Sequence, residues 1–414
     1  MVTNWAGNVT FAAERVVRPA DVDELRRIVS SYSHVHALGT GHSFSTVADT
    51  RGLLVSVADL PHEVEVVDGG DAVRVSAGTT FGELALALDP HDLALANTGS
   101  LPHISVAGAA STGTHGSGDH NQCIAATVRE AELVTASGDL VTVRRGDDGF
   151  EGTVLSLGAL GVLTHLTLDT RPTFDVRQTV FDGVGWDVLL DRDGLDRVMA
   201  SGYSVSVFTL YGDEVGDVWV KQRVGDPDDD LAWAGGRPVD GARHPIPGLQ
   251  GETCTVQGGV PGRWHERLPH FRMEFTPSSG DELQTEYYVD REHGAAAVAA
   301  VRAVADVVRP VLQVSELRTV AADDLWLSPT RGQDLLGLHF TFAPDAEGVA
   351  RATAALEQAL APFDARPHWG KVFSLDPAAV AGLYPRLDDF RSLAARLDPD
   401  GVFVNDFVET YVRG

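Results

Sequence analysis

Lysine is nearly missing from this chain of 414 residues. Lys221 and Lys371 stand alone among 32 basic side chains, and every other one is arginine. A lysine kept in so arginine-rich a chain points to a need for its compact ammonium, which a guanidinium does not imitate, although chance retention explains it equally well. Cysteine is as scarce. Cys123 and Cys254 are the only two, which excludes a disulfide framework and a four-cysteine zinc site. Positive charge is outnumbered, 32 Lys and Arg against 59 Asp and Glu, and a net charge of −27 argues against a nucleic-acid partner, whose phosphates would supply most of the affinity. No apolar run approaches the ~18 residues of a membrane helix, and Met1-Val2-Thr3-Asn4-Trp5 lacks the basic region and apolar core of a secretion signal. The expectation is a soluble cytoplasmic monomer that binds a small molecule, with no membrane or nucleic-acid partner.

The length exceeds what one core serves, since single cores stop growing beyond roughly 250–300 residues. Val22, Leu25, Ile28 and Val29 recur at helical spacing behind Pro19 and a capping Asp21, predicting a helix over Asp21–Ser31. Short β-rich runs follow at Gly52–Val57, Val64–Val67 and Val73–Ser76, and Thr80 caps a predicted helix over Phe81–Leu88. Glu130–Thr135 and Leu140–Val143, joined through Ser137-Gly138-Asp139, read as a hairpin. Val162–Leu168 alternates toward Arg171-Pro172, a domain boundary that divides the chain into 1–172, 173–372 and a C-terminal segment, 373–414, returning to the first domain. Asp226–Asp230 and Gly235–Pro247 read as loops, and Ala295–Val308, Ala350–Leu360 and Asp388–Leu397 as helices.

Two stretches carry chemistry. In Ala37-Leu38-Gly39-Thr40-Gly41-His42-Ser43-Phe44-Ser45 a histidine sits between glycines and hydroxyls. Such a turn exposes backbone N–H groups that suit a pyrophosphate, but a phosphate cradle needs no imidazole at its centre. A nucleophilic histidine bonded to a cofactor explains it; a histidine merely hydrogen-bonding the turn is the plain alternative. Ser100–Gly118 is a second run of small residues and reads as a loop approached by a ligand. Neither is a dinucleotide fingerprint, because Phe44 takes the third glycine position, and neither holds a Gly-Lys-Ser/Thr phosphate loop. His115, His120 and Cys123 lack metal-ligand spacing, so no metal is expected.

Two further segments alternate. Leu336-Gly337-Leu338-His339-Phe340-Thr341-Phe342 as a strand puts His339 and Thr341 on one face and the large apolar side chains on the other. Val314-Ser315-Glu316-Leu317-Arg318 likewise sets Glu316 beside Arg318. The pattern fits a wall of donors and acceptors for a hydroxyl-rich ligand, and it fits equally an ordinary surface ion pair worth ~0–1 kcal/mol.

Taken with Gly158–Val162, the two small-residue stretches resemble the FAD-binding domain of the vanillyl-alcohol oxidase superfamily. Within it the chain is similar to the alditol oxidase family over nearly its whole length, most clearly in Gly39–Phe44, Ser100–Gly118, Trp264–Arg272, Glu274–Gly280, Arg318–Ala322 and Arg366–Phe373. The resemblance implies an α+β fold of two domains, an FAD-binding domain of the PCMH type and a substrate (cap) domain built on an antiparallel sheet. It implies FAD held covalently through His42 and wrapped by Leu38, Gly39, Thr40, Gly41, His42, Ser43, Phe44, Ser100, Ser105, Gly108, Thr112, Gly113, Thr114, His115 and Val162, with His368 near the ring. Ser100, Glu316, Arg318, Thr341 and Lys371 would contact an alditol. The implied reaction converts the terminal alcohol of xylitol or sorbitol to the aldehyde, with O2 reduced to H2O2. Arg318 and Lys371 would stabilise the alkoxide, Glu316 would hold neighbouring hydroxyls, and His339 (or Glu316) would accept the proton. An aldonolactone oxidase and a dehydrogenase with another electron acceptor are the alternatives. Thr40 and Ser45 stand where relatives carry other small polar residues, and Asp213–Asp230 fits the pattern least.

Overall fold

The computed structural model describes residues 2–227, 229–275 and 281–414. Residue 228 of the expected loop Asp226–Asp230 and residues 276–280 of the Glu274–Gly280 match lie outside them. Local signals place the first elements well. The helix Val22–Val29 starts where the Asp21 side chain accepts from Glu24 N, and Phe81–Leu88 starts at a capping box formed by Thr80 and Glu83. The hairpin forms from Val128–Val134 and Leu140–Arg144.

Three expectations change. Ser100–Gly118 is not one loop. It contains the helix Val106–Thr112, ended by Gly113 at φ +75, because its alanines are good helix formers as well as small. The helix expected over Ala295–Val308 breaks at Val304 into Gly294–Ala303 and Ala305–Val308, where β-branched valines weaken it. The helix expected from Ala350 begins a turn earlier, at Ala346, where Asp345 accepts from Gly348 N; that glycine hid the first turn.

Two cores form. In the first, a parallel sheet of Arg15–Val17, Leu53–Val55 and Val35–Ala37 stands beside a five-stranded antiparallel sheet ordered Val64–Val67, Ala72–Ser76, Val162–Asp169, Val128–Val134, Leu140–Arg144. The C-terminal residues Val402, Phe403, Phe407 and Val412 pack into this core, and Val35 N donates to Val402 O at 2.8 Å. The second core is built on a nine-stranded antiparallel sheet, whose central order is Asp217–Arg223, Ser204–Thr209, Leu312–Val320, Leu335–Phe342, Leu283–Asp290. Leu317, Leu336, Leu338, Phe340 and Tyr287 pack with Val298, Val301, Leu356 and Leu360 of the covering helices. Each such buried side chain contributes about 1.5–3 kcal/mol. Because strand side chains alternate, one sheet face spent wholly on this core turns the intervening polar residues toward the first core. No helix among the described residues is long and apolar enough to cross a membrane.

Candidate active site

A cavity of about 730 Å³ runs between the two cores, from the glycine-rich stretches to the polar face of the large sheet, within the range of small-molecule sites. Leu38–Phe44, Ser100, Ser105, Gly108, Thr112, Thr114, His115, Val162 and His368 all line it, as do Glu316, Arg318, His339, Thr341 and Lys371. Gly113 alone of the expected residues does not; it ends the helix behind the wall.

At one end the histidine turn is clamped from both sides. Trp5 N donates to Gly41 O at 2.8 Å and Phe44 N to Gly370 O at 2.7 Å, while Asn4 and Asn8 side chains donate to Ser43 O and Phe44 O. Gly41 takes φ +74, which a side chain would strain. The His42 ring stacks on Trp5 at 4.9 Å and makes no hydrogen bond to any described residue. Burial, with Lys371 and His103 adding to it, pushes its pKa down to about 4, so the imidazole is neutral and its lone pair free at neutral pH.

Beside it, Gly39 and Gly108 meet across Ser105. A Cβ on either glycine would lie 2.9 Å from Ser105 Oγ, and that hydroxyl, buried, has no hydrogen-bond partner. Ser105 N donates to Thr40 Oγ1 at 3.4 Å, joining the two stretches. A slot that side chains would fill, lined by an unpaired hydroxyl and ended by a neutral histidine, fits the pyrophosphate and ring of FAD.

At the other end, three strands place their polar side chains in register. Glu316, His339 and Glu286 are direct neighbours across the sheet, as are Val314, Thr341 and Gln284. Arg318 Nη2 donates to Glu286 Oε1 at 2.7 Å and its Nε lies 3.6 Å from Glu316 Oε2, leaving that buried N–H without a hydrogen bond. Burial works against the charge of Glu286, but Arg318 and His115 outweigh it and hold the carboxyl well below its ordinary range. Glu316 is likewise depressed, with Arg318 and His270 overcoming burial, and the two carboxylates keep the buried Arg318 protonated. Glu316 and Arg318 are both buried, so the ordinary surface ion pair is the alternative that the structure removes.

Lys371 Nζ donates to Gln284 Oε1 and sits 5.0 Å over the Phe44 ring. Burial, opposed by Glu286, brings its pKa down to about 8. Gln284 gives its amide N–H to Glu282, so its oxygen faces Lys371 and His339. His339 Nε2 accordingly donates to it at 3.1 Å, leaving Nδ1 as the acceptor; burial lowers this histidine to about 3. His368 Nδ1 accepts from Gly370 N at 2.9 Å, leaving its Nε2–H for the cavity.

The sequence pattern left Glu286, Gln284 and His270 unmarked, and it marked Lys221 only as one of two retained lysines. The signal for the first two was present in Leu283–Asp290, where Gln284 and Glu286 alternate with Leu283, Thr285 and Tyr287. His270 lines the cavity and gives its Nε2–H to Glu316 Oε1 at 2.8 Å.

A family profile described as an FAD binding domain matches residues 13–144, and one described as D-arabinono-1,4-lactone oxidase matches 281–411. The chain is 50% identical to an alditol oxidase of a Streptomyces species, over 100% of this chain and 99% of that protein. It is 29% identical to an L-gulono-1,4-lactone dehydrogenase of Mycobacterium tuberculosis, over 98% and 97%. Among solved structures, a cholesterol oxidase from B. sterolicum superposes with a TM-score of 0.81 at 16% identity, covering 99% of this chain and 96% of that one. A xylooligosaccharide oxidase from Myceliophthora thermophila gives 0.77 at 14%, covering 97% and 92%. These neighbours share the fold of this chain over nearly its whole length. With half its residues identical over the full length, the chain belongs to the alditol oxidase family of FAD-dependent oxidoreductases.

Proposed function

We propose that this enzyme oxidises the terminal primary alcohol of an alditol such as xylitol or sorbitol to the aldose, reducing O2 to H2O2. The observation that carries the reading is the single cavity joining the glycine slot to a buried, charged wall. Bound there, FAD supplies the acceptor for the substrate's hydride and the route for its electrons to O2. In this reading residues 1–172 and 373–414 hold the cofactor and 173–372 hold the substrate. His42, neutral and unpaired, carries the flavin covalently.

The chain's own residues do the rest. Arg318 and Lys371 place two cations where the alcohol oxygen becomes an alkoxide, and preorganised charge in a water-poor site is worth most there. The unbonded Arg318 Nε–H is a donor awaiting an oxygen. Glu316, Thr341 and Ser100 take successive hydroxyls, each of which costs about 1–3 kcal/mol if buried unpaired. The hydroxyl proton passes to His339 Nδ1, whose Nε2–H is fixed by Gln284; Glu316 and Glu286 on either side stabilise the imidazolium. Cys123 and Cys254 are both free and buried, which suits a cytoplasmic setting.

A γ-lactone is the second candidate substrate, favoured by the profile over residues 281–411. Steady-state assays with xylitol and an aldono-γ-lactone side by side, each with H2O2 counted per turnover, test the reading. Xylitol turnover with one H2O2 per aldose is expected. Turnover of the lactone alone would overturn the alditol assignment, and product without H2O2 would make the enzyme a dehydrogenase.

A further inference from the structure

Of the two lysines, Lys371 lies in the cavity. Lys221 does not, yet it is 1% exposed in the strand Asp217–Arg223. Its ammonium donates to Leu268 O, to Pro269 O at 3.3 Å and to His270 Nδ1 at 2.9 Å. Three N–H donors meet three acceptors, so the group is saturated. His270, accepting a hydrogen bond at Nδ1, must carry its own proton on Nε2, and that N–H is the one reaching Glu316 Oε1 at 2.8 Å. The same segment holds a second part of the wall, since His270 N and Phe271 N both donate to Ser100 O, at 3.1 and 3.3 Å.

We propose that Lys221 is a positioning residue for the polyol site: its ammonium fixes the tautomer of His270, which holds the Glu316 carboxylate ionised and aimed at the substrate's hydroxyls. The inference rests on reading the cavity as a polyol site. Burying an ammonium is costly, and a leucine or methionine would fill the same space without that cost, so packing alone does not account for it. Arginine does not substitute, because a planar fork cannot converge on two carbonyls and a ring nitrogen. The neutral amine offers two donors and a lone pair. Losing the proton therefore frees His270 to move its own to Nδ1, turning a ring lone pair against the Glu316 carboxylate.

The ionisable groups that reach Lys221 are His270, Glu316, Cys254 and Arg318. Burial dominates them and lowers the lysine to about 7. The relay is thus complete below that pH, down to about 4 where burial has set the protonation of His270, and it is lost as pH rises through about 7.

Two measurements test this. In enzyme carrying 15N-histidine, the His270 signals, assigned by difference from His270→Gln, should report a proton on Nε2 in the wild type and on Nδ1 in Lys221→Met. In xylitol kinetics Lys221→Met should raise KM about tenfold or more with kcat within about threefold, the signature of binding lost equally in ground and transition states. The wild-type rise of KM near pH 7 should vanish in the variant, while a fall of kcat near pH 8 belongs to Lys371 and persists. A proton on Nδ1 in the wild type overturns the inference whether or not the variant folds. So does an unchanged KM in a folded Lys221→Met. A wild type that ignores xylitol fails the polyol reading instead and leaves the tautomer measurement to decide the relay.

Discussion

Replacing Arg318 with methionine removes the cation that two buried carboxylates share. Arg318 is 6% exposed and bonds Glu286 at 2.7 Å, with Glu316 at 3.6 Å. Breaking a buried ion pair from one side costs about 3–5 kcal/mol, because the partner stays behind uncompensated. Here one change leaves two buried carboxylates with hydrogen bonds from His270 and His115 but no cation between them, so the loss of unfolding free energy at pH 7 should fall within that range. The pH dependence has a definite sign. Both carboxyls are depressed in the wild type, so the stability they contribute is full above the unfolded value of about 4.3 and is lost as pH falls through and below it. In the variant the same carboxyls are raised and gain little from ionising. The gap between the two proteins is therefore widest at neutral pH and narrows as the pH drops below 4. Urea midpoints followed by tryptophan fluorescence at several pH values read this directly. Catalysis should fall about 10²–10³-fold in kcat, the loss of a preorganised charge at the developing alkoxide. A stability gap below 1 kcal/mol, or one that does not change with pH, would refute the reasoning.

Lys371→Met should slow anaerobic flavin reduction by xylitol about 10²-fold while leaving the dissociation constant within about threefold; an unchanged reduction rate in stopped flow removes Lys371 from the chemistry. Gly39→Ala puts a Cβ 2.9 Å from Ser105 Oγ and closes the slot, so the purified variant should carry less flavin per polypeptide than wild type; equal flavin absorbance per chain would contradict the cradle. Thr341→Val keeps the shape and removes one hydroxyl from the wall, and KM for xylitol should rise about fivefold to hundredfold; a KM within a factor of two would place Thr341 outside the polyol contact.

Much of the polar wall was legible before any fold was known. A period of two in two short segments put Glu316 with Arg318 and His339 with Thr341, and the register makes Glu316 and His339 direct neighbours. Glu286 escaped although the same alternation runs through Leu283–Asp290, because a glutamate in a strand with threonine and tyrosine looks like a solvated edge until Leu335–Phe342 is known to lie beside it. Strand order is a long-range fact: residues 316, 339 and 286 meet through pairings that no local window contains. The Lys221–His270–Glu316 chain is further out of reach, since it joins two strands and an irregular segment by side-chain contacts alone. The clamp on the histidine turn from Asn4, Trp5 and Asn8 was equally hidden. In the opposite direction, the alanines of Val106–Thr112 were read only for their smallness, and their helix propensity was the stronger fact.

Everything proposed for the cofactor depends on the imidazole of His42, neutral, stacked on Trp5 and open to the cavity. Precipitating the purified enzyme in acid and separating pellet from supernatant tests it most directly. A yellow pellet in the wild type and a colourless one in His42→Ala are expected. A colourless wild-type pellet beneath a supernatant holding free FAD would contradict the covalent assignment.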